Sequence, residues 1–435
     1  MKATTEFIHR YNKVLADILA RAQPAWLHSQ RSEAYDLFQK LGLPTTRDEE
    51  WKYTSLTGIE RADLDASAAE VSVPALANID SFDCAYAHKL VFVDGRFNPS
   101  LSILREPQPG VTLMPLAQAV TLSRPAASKF VGQLDDEQEA LAAFNTALWR
   151  DGLYLEVERG ARLTRPLIVH CISTSGRLVP IRHLFVLGKG AEATVIEHYQ
   201  SAQAGVHFTN AVTECLLGAN AVLRHIKLQD ENDQAFHTAR ITARQGAGSR
   251  WLNLSLSAGG GLTRNDIISQ MEGEAASCTL NGLAIGAGRR HADHHTFIDH
   301  SHPGGTSSQH YRGVLADRSR VVFNGRVRVG KGAVKTDAQQ INRNLLLSRD
   351  AEADSKPQLE IYADDVKCSH GAATGGLDQA QLFYLRSRGL DETEAHGMLV
   401  QAFATAVLDI IEDAGLKQAL SNWVGAKLPQ LTGDA

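Results

Sequence analysis

Toward the C-terminal end stands Cys368-Ser369-His370, a thiol and an imidazole two residues apart. On an extended strand, residues i and i+2 project from the same face with backbones about 6.5–7 Å apart, so both groups can address one object. Thiolate is a soft ligand for iron or a carrier of sulfur. Imidazole ligates iron or relays a proton near neutral pH. Two ligands do not close a metal site, so the rest must come from another segment or another chain, which makes an interface the natural setting. As a bare pattern, Cys-x-His reads more simply as a buried thiol beside a surface histidine.

The densest run of potential ligands lies upstream: His291, Asp293, His294, His295, Asp299, His300, His302 and His310. Imidazole with carboxylate suits zinc, iron or copper, and His294 and His295, with Asp293 and Asp299, are the candidate ligands. The spacing matches no compact metal signature, and solvated positions on alternating strands have the same appearance. A second functional reading nevertheless follows, a free-standing metal-dependent enzyme built on the His291–His310 segment.

Other motifs fail on chemistry. Gly325-Arg-Val-Arg-Val-Gly330-Lys331 spells most of a phosphate-binding loop, but Gly332 stands where a hydroxyl must meet magnesium, and the surroundings alternate like a strand. Gly188-Lys-Gly190 and Gly286-Ala-Gly288 lack a third glycine and a following helix, so no dinucleotide fingerprint forms. There is no GxSxG and no HExxH.

The elements that must carry Cys368 and His370 are legible in the periodicity. Phe7, Tyr11, Val14, Leu15 and Ile18 recur at helical spacing, and Tyr35, Leu37, Phe38 and Leu41 predict a second helix stopped by Gly42 and Pro44. The segment from Leu90 to Leu113 is mixed. A helix is then expected from Asp135 or Asp136 as cap, with Gln138 or Glu139 completing a capping box and Leu141, Phe144 and Leu148 on one face.

After Gly152 the period changes to 2 for over 200 residues, in runs such as ATVIEHYQ, AVLRHIKLQ and RVVFNGRVRV. Small-residue corners recur at Gly188–Ala191, Gly218–Ala221, Gly246–Gly248 and Glu272–Ala275, 27 to 30 residues apart, and again at Gly330–Ala333 and Arg349–Glu352, 19 apart. Small corners between alternating strands at this interval predict a mainly β fold, a parallel β-helix, with an antiparallel sandwich as the other fold that alternates this way. Past His370 the period is helical again, with Asp391 and Glu394 as a capping box leading into Leu399, Phe403, Ile410 and Ile411. Three units follow: a helical and mixed region over 1–150, a β-helix over 151–372 and a helical module over 373–435. The last either covers the solenoid end or docks a partner.

Composition narrows the partners. Lys+Arg total 44 against 49 Asp+Glu, a net charge of −5, which argues against nucleic acid. Five scattered cysteines, Cys84, Cys171, Cys215, Cys278 and Cys368, form no CxxC pair and suit a reducing compartment. No stretch has the roughly 18 uninterrupted apolar residues of a membrane span, so a soluble, cytoplasmic protein is expected.

The strings GLPTTRDEEWKYTSL, FNTALWRDGLYLEVERG, INRNLLLSRDAEADSKPQLEIYADDVKCSHGAATGGLD and LFYLRSRGL make the chain resemble, over essentially its whole length, the SufD family of the bacterial SUF iron–sulfur cluster assembly machinery. The related SufB family is disfavoured, because no CxxC-type cluster stands near the N-terminus and VKCSHG is followed by AATGGLD. The resemblance implies a right-handed parallel β-helix between helical regions and a non-catalytic scaffold role. It also implies pairing with a SufB-like paralogue and docking of a SufC-like ABC ATPase on the C-terminal helices, where Leu399 and Phe403 are the expected contacts. Cys368 and His370 would then lie at the paralogue interface, beside a transient iron–sulfur cluster, with no cofactor held tightly by the isolated chain. A homodimer is the assembly in view for the chain alone. Nothing transfers to the histidine run around His294.

Overall fold

The computed structural model describes residues 2–66, 82, 86–106, 108–134 and 139–428, the side chains of 2–5 and 8 excepted. Its first strands come earlier than the change of period at Gly152. β1 (His88–Val93), β2 (Arg96–Phe97) and β3 (Val111–Pro115) begin two sheets, β2 and β3 running antiparallel to their neighbours. Every later pairing is parallel. One sheet continues through β5 (Leu167–Ser173), β7 (Glu192–Ser201), β9 (Val222–Gln229), β11 (Arg250–Ser257), β13 (Ser277–Gly286), β15 (Thr306–Leu315), β17 (Asp337–Leu346) and β19 (Lys367–Gly375). The other takes β4 (Leu153–Val157), β6 (Leu178–Leu187), β8 (Phe208–Leu217), β10 (Phe236–Gln245), β12 (Leu262–Met271), β14 (His291–His300), β16 (Arg320–Val329) and β18 (Glu352–Ile361). Successive strands alternate between sheets, so the chain winds a parallel β-solenoid of about eight turns.

The small-residue corners are where the coils stack. Gly190, Asn220, Gly248, Ala275, Gly304 and Lys335 all have φ between +54° and +71°, and each donates its amide N–H to a carbonyl of the next coil. At Gly273 a Cβ would sit 2.0 Å from the backbone nitrogen of Ala247, so no side chain fits. The 19-residue interval between Gly330–Ala333 and Arg349–Glu352 is not a coil repeat. Those corners join β16 to β17 and β17 to β18, one strand apart on opposite edges.

Helices flank the solenoid. α1 (Lys2–Leu19), α2 (Ala25–Leu41), α3 (Thr57–Arg61), α4 (Leu116–Thr121), α5 (Pro125–Phe130) and α6 (Ala140–Leu148) belong to the N-terminal part. Phe7, Tyr11, Phe38 and Phe144 form an aromatic cluster, with ring centroids 4.8–6.4 Å apart, that packs on Leu178, Phe208 and Leu262 of the even sheet. Glu139 is itself the α6 cap, its carboxylate accepting from the Ala142 amide at 2.6 Å. Asp135, Asp136 and Gln138 lie outside the described residues.

The C-terminal part contains α7 (Gln379–Ser387), α8 (Glu392–Thr405) and α9 (Ala414–Lys427), with the Asp391–Glu394 capping box in place. Val400, Ala404, Leu408, Leu420 and Val424 pack on Ile226, Leu254, Leu256 and Leu283 of the odd sheet. These helices therefore cover a sheet face, and among the described residues the solenoid end stays uncovered. No helix among the described residues is long and apolar enough to cross a membrane.

Candidate functional site at the open end of the solenoid

β19 pairs with β17 and β18 with β16, and beyond them no described strand follows. The Lys367 amide donates to Thr336 O at 2.8 Å, so the odd-numbered residues of β19 bond inward. By alternation, the amides and carbonyls of Cys368, His370, Ala372 and Thr374 turn to the open side. On β18 the parity is opposite: the Glu352 amide donates to Ser319 O at 3.0 Å and Tyr362 to Val329 O at 2.9 Å. Pro357 thus occupies an outward position, where it costs β18 no ladder bond and removes a donor from that edge. Ile361 and Tyr362, both exposed, supply an apolar rim.

Register settles where the thiol and imidazole sit. Cys368 continues the interior column Trp251, Cys278, Ser307, Ala338, and His370 the column Asn253, Leu280, Gln309, Gln340. Both side chains are thus on the interior face of the last strand, brought to solvent because the next coil is missing. Cys368 is half-buried against the interior core and His370 is exposed. The other described cysteines, Cys171, Cys215 and Cys278, are buried, and burial pushes their thiols up. Burial and then the Asp337 carboxylate also raise the Cys368 thiol above its usual value, with the Ala338 amide opposing them. It stays protonated at neutral pH until a metal or a base draws the proton away.

The upstream histidine run is divided by the strand period. His291, Asp293 and His295 leave the outer face of β14. There the Thr54 hydroxyl donates to Asp293 at 2.5 Å and lies 2.9 Å from His291 Nε2. Asp293 also pairs with His295 at 3.0 Å and with Arg264 at 3.0 Å, and the Arg264 guanidinium stacks on Trp51 at 3.7 Å. This cluster fastens the N-terminal strap around Trp51 to the solenoid. His294 and His300 point inward, so His294 and His295 address opposite faces. His300 Nε2 lies 2.9 Å from Ser307 Oγ, and the His294 ring is 5.4 Å from that of Tyr311. Among the described residues no three His, Cys, Asp or Glu side chains converge as a metal-binding group.

Sequence reasoning passed over the buried polar groups inside the solenoid. The Glu197 carboxylate accepts from Tyr199 at 2.6 Å and Thr213 at 2.7 Å and pairs with His225 at 2.9 Å. Burial alone would raise this carboxyl, yet His225 and His183 hold it well below the usual range. The signal was available in the parity of ATVIEHYQ and AVLRHIKLQ, where Glu197, His225 and Lys227 share the face of buried Val195 and Leu223.

Leu399 and Phe403 are half-buried; the Arg312 guanidinium lies 4.7 Å from the Phe403 ring and donates to its carbonyl at 2.7 Å. The outward apolar residues are Phe383, 75% exposed, with Tyr384 and Met398, each 56% exposed.

Comparison with known proteins places these features. The SUF system FeS cluster assembly SufBD core domain matches residues 170–403, and the SufBD protein N-terminal region matches residues 1–169. The iron-sulfur cluster assembly protein SufD of Escherichia coli is 36% identical over 408 residues, 90% of this chain and 90% of that protein. An iron-sulfur cluster assembly SufBD family protein of Synechocystis is 34% identical over 92% of this chain and 91% of its own length. The SufD protein of Bacillus subtilis is 26% identical over 93% and 95%. With both family regions matched and full-length relatives above 30% identity, the chain belongs to the SufBD family of the SUF iron–sulfur cluster assembly system.

Proposed function

We propose that this chain is a non-catalytic scaffold subunit in SUF iron–sulfur cluster assembly. It pairs with a SufB-like paralogue through the open end of its solenoid and offers His370 and Cys368 to the cluster being built at that interface. The observation that carries this reading is the terminal strand β19, which presents an unpaired backbone edge and, on its interior face, an exposed imidazole two residues from a half-buried thiol. A second chain that covers the end supplies the missing ligands and excludes water in one step. In isolation, a second copy can occupy the same edge, giving a homodimer.

A SufC-like ATPase docks on the C-terminal helices, through the exposed Phe383, Tyr384 and Met398 instead of the half-buried Leu399 and Phe403. ATP hydrolysis belongs to that partner. Gly330 and Lys331, which resemble a phosphate loop, form a coil corner after β16. Co-expression with the paralogue and the ATPase tests the assignment. A stable ternary complex is expected, with cluster assembly lost on His370→Ala; a chain that captures neither partner overturns it.

A further inference from the structure

A cavity of about 210 Å³ opens where the link from α1 to α2, the helix α4 and the junction between α6 and β4 meet. Three arginines line it, Arg21 exposed at the rim with Arg31 and Arg150 less so, and among the described residues no aspartate or glutamate does. This is a local excess of positive charge on a chain whose net charge is −5. The Arg31 guanidinium, 4% exposed, lies 4.6 Å from the Trp149 ring and donates to Gln23 Oε1 at 3.2 Å and to the Ala147 carbonyl at 3.0 Å. Both acceptors are neutral. Arg182 nearby is matched by the Glu214 carboxylate at 2.8 Å, whereas among the described residues no carboxylate pairs with Arg31. Burial, with the like charges of Arg182 and Arg150, brings the Arg31 guanidinium down to about 9, so at neutral pH it keeps its proton and its charge is uncompensated.

The polar groups left over in the wall are donors. The Gln23 amide is engaged at both ends, its Nε2 donating to Ile18 O at 3.4 Å, and the Thr121 hydroxyl donates to Ala117 O at 2.9 Å. Arg150 Nη2 donates to Ala66 O at 2.6 Å, which leaves Arg150 Nη1 buried without a partner. Trp149 Nε1, on a side chain 1% exposed, has none either. Indole and guanidinium N–H groups only donate, so an acceptor answers them and a metal ion does not. Water would accept both hydrogen bonds but would leave the charge of the arginines unmatched, whereas an anion answers both. The 17-residue helix α2 adds to the field. Its N-terminus has no side-chain cap, and Pro24 and Leu27 of that end stand in the wall, so the positive end of the helix lies there too. Asp17 and Asp65 are near enough to oppose the Arg96 and Arg21 charges at Arg150, but neither lines the cavity.

We propose that this cavity binds a small organic anion, a carboxylate or phosphate group on a short apolar stem, its head group held by Trp149 Nε1, Arg150 Nη1 and the Arg31 charge. Ile18, Leu27 and Val120, which complete the wall, receive the stem. The volume is below the roughly 300–1,000 Å³ of a drug-sized site, so a molecule of a few carbons fits and a dinucleotide does not. Because the wall is drawn from the α1 to α2 link, α4 and the α6 to β4 junction, a bound anion ties the N-terminal helices to the first coils of the solenoid, and its binding free energy adds to their stability. The site stands at the start of the solenoid and the Cys368 and His370 edge at its last strand, so the inference does not rest on the cluster-building role.

The test is titration calorimetry of the full chain with butyrate, n-butyl phosphate and n-butylamine, three probes that share a stem and differ in head group. Saturable one-to-one binding of butyrate or n-butyl phosphate is expected, the tighter of the two identifying the head group, with n-butylamine silent. Arg150→Met should weaken that binding about tenfold or more through the loss of a charge-assisted hydrogen bond. Should Arg150→Met not fold, Arg21→Gln at the exposed rim takes its place, with a weakening in the same sense. Nuclear magnetic resonance locates the ligand: the indole N–H signal of Trp149, assigned by its loss in Trp149→Phe, should move as the binding saturates. Failure of both acids to bind at millimolar concentration overturns the proposal. So does n-butylamine binding as tightly as the acids, an unchanged affinity in the folded arginine variant, or binding that leaves the Trp149 signal in place.

Discussion

Replacing Ala372 with proline removes one outward N–H from β19 and no bond from the solenoid's own ladder. The parity follows from the Lys367 amide, which donates inward to Thr336 O, so Ala372 lies on the open side and Ala373 on the paired side. Pro357 in β18 is the built-in precedent, an outward proline midway along a ten-residue edge strand. At the interface the substitution deletes an N–H···O bond of about 1 kcal/mol. It also thrusts a ring toward the carbonyl that would have accepted, for a total of roughly 3 kcal/mol. At 1.4 kcal/mol per decade, affinity for the paralogue should fall about a hundredfold. Titration calorimetry against the paralogue, with circular dichroism and thermal melting on the same preparation, reads both consequences. Ala373→Pro, which removes an inward bond, should lower Tm more than Ala372→Pro does. The reasoning is refuted if Ala372→Pro pairs with wild-type affinity, or if the two prolines destabilise the solenoid equally.

The ATPase-docking face is tested by Phe383→Asp, which should weaken capture of the ATPase at least tenfold without changing Tm, read by pull-down and calorimetry; Phe403→Ala should instead destabilise the C-terminal helices by about 2 kcal/mol through lost packing and the lost Arg312 stack. Acid stability follows from histidines that burial holds neutral, His183, His294 and His300 at about 4 and His170, with help from His198, at about 3. Their folded values lie below the unfolded value near 6.5, so the unfolded chain binds more protons and Tm should fall as pH drops from about 6.5 toward 4. His295 has the opposite sign: burial opposes its charge, but Asp293 and then Glu50 hold it up to about 9, so its contribution is complete below about 6.5 and is lost as pH rises through 9. Melting across this range should give a plateau with both limbs, and His295→Gln should remove the alkaline one; a Tm that is flat down to pH 4.5 contradicts the first limb.

Alternation of β-branched and polar residues with small corners made the parallel solenoid readable, because each coil repeats the same steric demand at the same place. The placement of Cys368 and His370 on one face followed from spacing alone. Their exposure did not, since it depends on β19 being the last strand of its sheet, a property of the whole stack. The histidine run misled for a related reason. Residue spacing along β14 brings His294 and His295 adjacent in sequence, while the pleat sends one into the lumen and the other to the Trp51 strap. Leu399 and Phe403 have the apolar character of a docking face, and periodicity cannot say whether a helix turns that face to a partner or to its own sheet. Phe383 and Tyr384 carried no such periodic signal. Glu197 and Lys227 were passed over because partners that hold them, His225 for Glu197 and Tyr199 for Lys227, come from other strands and other coils.

Cluster assembly by the purified complex, measured together with the melting temperature of the same preparations, bears most directly on the role of the solenoid end. His370→Ala should abolish most assembly and Cys368→Ala should have an equal or smaller effect, with pairing intact and Tm within a few degrees of wild type. A His370→Ala complex that builds clusters at the wild-type rate, or one that loses activity only because the subunit no longer folds, would contradict the assignment of the edge site.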